Sequence, residues 1–104
     1  DVCADRIAGV TGYVDIVQRN LLLARGSARL IVRHLLLPGH FDCCFLPVAR
    51  WVADHLPGVP FSIRDGYLPR WQARHHADLA SPLPGEHGAL ARREAAMLGL
   101  NVVE

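Results

Sequence analysis

Apolar residues recur at helical spacing from Val14 through Val17 to Leu21, with Thr11 placed as an N-cap and Gly26 just past the last turn. This pattern predicts a first helix over Gly12 to Arg25. Beyond it the period changes. Leu30 to Leu37 is almost continuously aliphatic, interrupted only by Arg33 and His34, and Pro38-Gly39 ends it. Such a run is the mark of a strand in a parallel sheet that is covered by helices or closed into a barrel. Val48, Trp51, Val52, His55 and Leu56 then restore the helical period, with Pro47 suited to the first turn and Pro57-Gly58 as the stop.

Phe61 to Ile63, preceded by Val59, reads as a short second strand, and Arg64 to Pro69 as its turn-rich exit. Arg70 to Ala80 shows no dominant period and accommodates a short helix around Trp71. Ser81 to Gly85 is a loop, an Ala-rich helix follows from about Glu86 to Leu98, and Leu100 to Val103 reads as a last strand. Helices and strands therefore alternate, which predicts an α/β fold of parallel β/α units. No internal repeat or linker interrupts it, so residues 1–104 are expected to be a single segment.

Composition changes this picture little. The chain is 51% hydrophobic with a formal net charge of +1, and its 11 basic residues are all arginine without forming a stripe. Global electrostatics thus gives no footing for nucleic-acid or membrane-surface binding, and the absence of lysine is read as a coding bias. Three cysteines, two of them adjacent, make a poor disulfide framework, which points to a reducing, cytoplasmic setting. No apolar run approaches a membrane span and nothing at the start resembles a signal peptide, so a soluble protein is expected. The chain begins Asp-Val-Cys and not with methionine, and is expected to be a piece of a longer one.

In parallel sheets the chemistry collects at the carboxyl ends of the strands, which here means Arg33 to His40 and Arg64 to Tyr67. Strand parity sets Ile31, Arg33, Leu35 and Leu37 on one face and Leu30, Val32, His34 and Leu36 on the other. Arg33 is the stronger candidate for a lumen or crevice, because a buried guanidinium demands an anion and grips a carboxylate or phosphate with two bonds. The competing reading is an ion pair with an acid on a neighbouring strand. Asp65 could accept a ribose hydroxyl, with pairing to Arg64 as its default. His34, His40, Cys43 and Cys44 are ligand types for zinc, but adjacent cysteines are not expected to turn toward one ion, so no metal ligand is assigned. Hydrolytic chemistry by His34, His40 and Cys43 has no supporting spacing. Trp71, between Arg70 and Arg74, is expected as a lid over the sheet edge, with a partner-facing role as the alternative.

"IVRHLLLPGH", "VARWVADHLP" and "FSIRDGYLP", in that order and at those intervals, resemble the carboxyl-terminal part of radical S-adenosylmethionine enzymes, in particular the group similar to pyruvate formate-lyase activating enzyme. The resemblance runs from about Asp5 to Val103 and rests on the ordered set of segments. It implies a segment of a partial (β/α) barrel in which a [4Fe-4S] cluster cleaves S-adenosylmethionine to a 5′-deoxyadenosyl radical. Arg33 matches the family's arginine before Pro-Gly, which lies by the cofactor or the radical being made, so the resemblance implies a catalytic as well as a cofactor-binding role for it. Tyr67 stands roughly where the activating enzymes place a histidine, and an aromatic there could lie against adenine. Asp65 shares that exit loop and joins Arg33 and Tyr67 as an implied cofactor contact.

Two features of the family are missing here. The cluster motif C-x-x-x-C-x-x-C does not occur, and neither does the Gly-rich cofactor loop. The resemblance therefore implies the back half of an iron-sulfur enzyme, inactive alone, whose partners are the missing front half and the protein or small-molecule substrate of the whole. The cluster belongs only to a longer chain carrying that front half. The alternative is a non-catalytic α/β module that binds a protein partner through its open sheet edge.

Overall fold

The computed structural model describes residues 2–26 and 29–104 and divides the chain into two compact units, Asp1–Leu30 and Ile31–Glu104. The first unit is a pair of helices, α1 (Val2–Ala8) and α2 (Tyr13–Ala24). Gly9 and Gly12, both with positive φ (75° and 77°), make the turn between them. Thr11 is not the N-cap. Gly12 takes that position, and the Tyr13 amide donates 3.2 Å to the Asp5 carboxylate of α1, so an acid from the preceding helix satisfies a donor at the start of α2. No residue of either helix is buried.

The second unit holds three parallel strands, β1 (Val32–Leu35), β2 (Pro60–Arg64) and β3 (Asn101–Val103), in the order β1-β2-β3. Val32 pairs with Phe61, Arg33 with Ser62, His34 with Ile63, and on the other side Phe61 with Val102. The α/β fold with parallel β/α units is as expected, and β2 and β3 lie within a residue or two of their predicted bounds. The ladder of β1 is shorter than its aliphatic run, although the Leu36 amide still reaches the Arg64 carbonyl at 2.9 Å.

After β1, Gly39 turns the chain with φ 76°. One wide, π-type turn (Phe41–Phe45) then feeds α3 (Leu46–His55), and α4 (His87–Met97) precedes β3. Two short 3-10 turns, Trp71–His75 and Ala77–Leu79, occupy the aperiodic stretch.

The core lies between the sheet and this helical layer. Phe45 is wholly buried (0% exposed), with its ring 5.5 Å from His34 and 6.4 Å from Phe61, so these side chains share the covered face. Phe41 meets His87 of α4 at 5.8 Å, which joins both helices to the same face. Ala49, Val52 and Leu56 of the α3 segment and Ala91 and Ala95 of α4 complete the layer. Small alanines bring α4 close to the strands it packs on, β2 and β3. No described helix is long and apolar enough to cross a membrane.

Candidate functional site

Arg33 lies on the face opposite Phe45 and is exposed, as are its same-face neighbours Ile31 (60%) and Leu35 (47%). The expected burial of the guanidinium is thus corrected: within the second unit α3 and α4 cover only the Val32, His34 and Leu36 face. The competing ion pair is not made either, since no hydrogen bond or ion pair among the described residues engages the Arg33 side chain.

His34, on the covered face, stands edge-on to Phe45. Burial holds its pKa below the ordinary 6.5 because the charged ring would lose hydration. The unfolded chain then binds a proton near pH 6.5 that the folded chain refuses, so stability falls as pH drops through that value and levels off below the folded pKa. We expect His34→Leu to flatten this part of the stability curve, measured by urea unfolding at stepped pH. An unchanged slope would show that the imidazole titrates alike in both states.

Asp65 and Tyr67 serve the exit loop of β2. The Arg92 guanidinium of α4 donates to the Asp65 carboxylate (3.0 Å) and to the Ile63 carbonyl (3.2 Å), clipping α4 to the strand end. This hydrogen bond and the charge of Arg92 hold the Asp65 carboxyl below its usual range, with a smaller contribution from Arg64. Arg92, and not the expected Arg64, is therefore the hydrogen-bonded partner. The Tyr67 hydroxyl donates 2.6 Å to the Leu79 carbonyl and fixes the short turn over Ala77–Leu79.

Gly88 in the first turn of α4 is buried, and a Cβ there would run into the Asp65 carboxylate and the Arg92 guanidinium. Gly88→Ala gains about 1 kcal/mol of helix propensity in an open site. We expect the full gain only when Asp65→Ala has cleared the way, and a smaller gain when Asp65 is present. Thermal unfolding of the four-member cycle measures the difference, and additivity would mean that the carboxylate moves aside at no cost.

Trp71 is not a lid. It is 79% exposed with φ at 51°, a left-handed conformation uncommon for a bulky residue, and lines an open cleft with Leu68, Pro69, Arg70 and Arg74.

His40, Cys43 and Cys44 form a further group, just past the carboxyl end of β1. Their i, i+3, i+4 spacing puts all three on one side of a helical turn, and the wide winding begins here, with the Cys44 and Phe45 amides both reaching the His40 carbonyl at 3.2 and 3.1 Å. The Cys43 Sγ is 3.3 Å and the Cys44 Sγ 3.4 Å from His40 Nδ1, and the two sulfurs are 3.7 Å apart. Adjacent cysteines do turn toward one point, contrary to expectation, because consecutive positions a turn beyond His40 flank it from either side. On the far side of the ring, His40 Nε2 lies 2.7 Å from Asp78 Oδ2. His40 is 6% exposed, Cys44 half-buried and Cys43 exposed. The sequence signal was H-x-x-C-C read at helical spacing, which a search for paired finger-like motifs passes over.

No family model matches the chain, and no solved structure does. It is similar to the uncharacterized protein MJ0674 of Methanocaldococcus jannaschii, with 29% identity over 101 residues, covering 97% of this chain and 30% of that protein. The chain thus spans less than a third of the length of this relative.

Proposed function

We propose that the chain is the carboxyl-terminal segment of a radical S-adenosylmethionine enzyme similar to pyruvate formate-lyase activating enzyme, with Arg33 turned toward the cofactor. One observation carries the reading. Three parallel strands follow one another in chain order with α3 and α4 on a single face, and the opposite face presents a guanidinium that no described acid engages. A barrel wall has helices outside and ligand-facing side chains inside. The outer edges of β1 and β3 carry no strand partner among the described residues, as suits a wall continued by other strands. Coverage of 30% of a longer relative agrees with a segment.

Arg33 fits S-adenosylmethionine in donor chemistry: its exposed fork is suited to a carboxylate. Asp65 and Tyr67 are committed to Arg92 and to the Leu79 carbonyl. Their part in cofactor binding is to fix the exit loop, with the half-buried Tyr67 ring as the surface offered to an aromatic base. Bound beside a reduced cluster, the cofactor supplies hydrogen-atom abstraction. The residues here do not fit the cluster itself, since the chain has no C-x-x-x-C-x-x-C, and its adjacent Cys43 and Cys44 set two sulfurs at a spacing suited to sharing one ion. The cluster and the residues that select a protein or small-molecule substrate belong to the rest of the enzyme.

The test begins with the coding sequence upstream of Asp1. We expect an in-frame C-x-x-x-C-x-x-C, and release of 5′-deoxyadenosine from S-adenosylmethionine by the longer polypeptide once reconstituted with iron and sulfide and reduced. Arg33→Ala in that polypeptide should weaken cofactor binding about tenfold, roughly 1.4 kcal/mol, a moderate loss because the guanidinium is exposed and not buried. A chain with no such motif that folds as a cooperative monomer and leaves S-adenosylmethionine unbound would overturn the reading. It would favour instead the α/β module that recruits a protein through its sheet edge.

A further inference from the structure

We infer that His40, Cys43 and Cys44 bind a single borderline-to-soft divalent ion, of which zinc is the type, and that Asp78 is the positioning residue for His40. The inference is independent of the radical-enzyme reading. It rests on separations within the second unit alone.

Two thiolates and an imidazole bound tetrahedrally to one zinc, at about 2.3 Å for sulfur and 2.0 Å for nitrogen, stand about 3.8 Å apart for S···S and about 3.5 Å for N···S. The observed 3.7, 3.3 and 3.4 Å match this triangle. Two sulfurs at 3.7 Å are also far from the roughly 2.05 Å of a disulfide. With Nε2 donating to the Asp78 carboxylate, Nδ1 keeps one in-plane lone pair on which both sulfurs converge, while the Cys43 Sγ also stands 4.0 Å from the Gly39 carbonyl. A cation at the centre of the triangle satisfies the lone pair and both sulfurs together.

The surroundings reinforce the assignment. The ligating imidazole is nearly buried and held from behind by a carboxylate, the arrangement that fixes tautomer and ring plane in metal-binding histidines. Tyr67 holds the carbonyl of Leu79, next to Asp78, so the carboxylate is itself braced by the β2 exit loop. Thiolate and imidazole donors select zinc, cobalt or ferrous iron over magnesium and calcium, which take oxygen. Three protein donors leave a fourth position for water or another donor.

The experiment uses the full chain, reduced and stripped of metal by chelator, and titrates it with cobalt(II). We expect one equivalent to bind, with the strong visible bands of tetrahedral cobalt and a near-ultraviolet thiolate-to-cobalt band, both lost when one equivalent of zinc displaces it. The double variant Cys43→Ser/Cys44→Ser should abolish the thiolate band, and Asp78→Asn should weaken affinity about 10- to 100-fold while leaving stoichiometry and band positions unchanged. X-ray absorption at the zinc edge of the unmodified protein, which depends on no variant folding, should give two sulfur neighbours and at least one imidazole. A cobalt spectrum without a thiolate band, a zinc shell of oxygen alone, or thiolate ligation that survives the double substitution would overturn the assignment.

Discussion

Phe45→Ala is expected to destabilise the Ile31–Glu104 unit by about 3–5 kcal/mol, a large share of what such a unit holds. Phe45 is wholly buried and its ring touches three others, Phe41 at 5.1 Å, His34 and Phe61. Phe61, also 0% exposed, lies in the middle strand and is pinned by partners on both sides, so it cannot move to fill the hole. The cost is then transfer of the ring plus an unrelaxed cavity. Since domains of this size hold only about 5–15 kcal/mol in total, the variant should show a measurable unfolded fraction in mild urea. Phe45 also closes the wide turn that carries Cys43 and Cys44, so cobalt binding should weaken with it. A loss under about 1 kcal/mol would mean that the helical layer closes over the gap and is softer than a packed core.

Zinc is expected to act on the same unit from the other end. At free metal a thousandfold above its dissociation constant, a ligand that binds only the folded state adds about 4 kcal/mol. For a domain of this length that is a rise in Tm on the order of 20 °C. The effect should be large because the three donors come from one turn while their orienting carboxylate comes from Asp78, 38 residues on, so loading ties the end of β1 to the segment after β2. Scanning calorimetry with and without zinc, and after excess chelator, measures it. The Cys43→Ser/Cys44→Ser variant should show no zinc dependence, and a Tm indifferent to zinc in the unmodified chain would sink the prediction.

The fold was legible in the sequence where a local pattern and its tertiary use coincide. Val52 and Leu56 announce α3 because they are buried, with Ala49 beside them and Val48 half-buried, and Phe61 to Ile63 announces β2 because the middle strand is paired on both sides. Leu30 to Leu37 misleads for the same physical reason inverted. An aliphatic run reports low polarity, not which face finds a cover, and here Ile31 and Leu35 stay exposed beside Arg33. The helix α1 carried no amphipathic signal because it buries nothing.

Of the candidate site, the exit loop of β2 could be placed from its turn residues, but its partner could not. Arg92 reaches Asp65 across 27 residues through the docking of α4, a tertiary fact. The cysteine pair was visible, yet its geometry depended on the chain entering the wide turn at Phe41, directly after the Pro38-Gly39 stop.

The strand order β1-β2-β3 has a consequence for how the chain is made. Each strand lies beside the one synthesised just before it, and none must be threaded between two already paired. As the polypeptide leaves the ribosome amino end first, β2 can dock on β1 with α3 already packed, and β3 can follow once α4 has emerged, so the sheet grows in the direction of translation. A sheet built this way can extend by simple addition at either border. Gene fusions and fissions that append or detach whole β/α units would therefore leave the remaining register undisturbed.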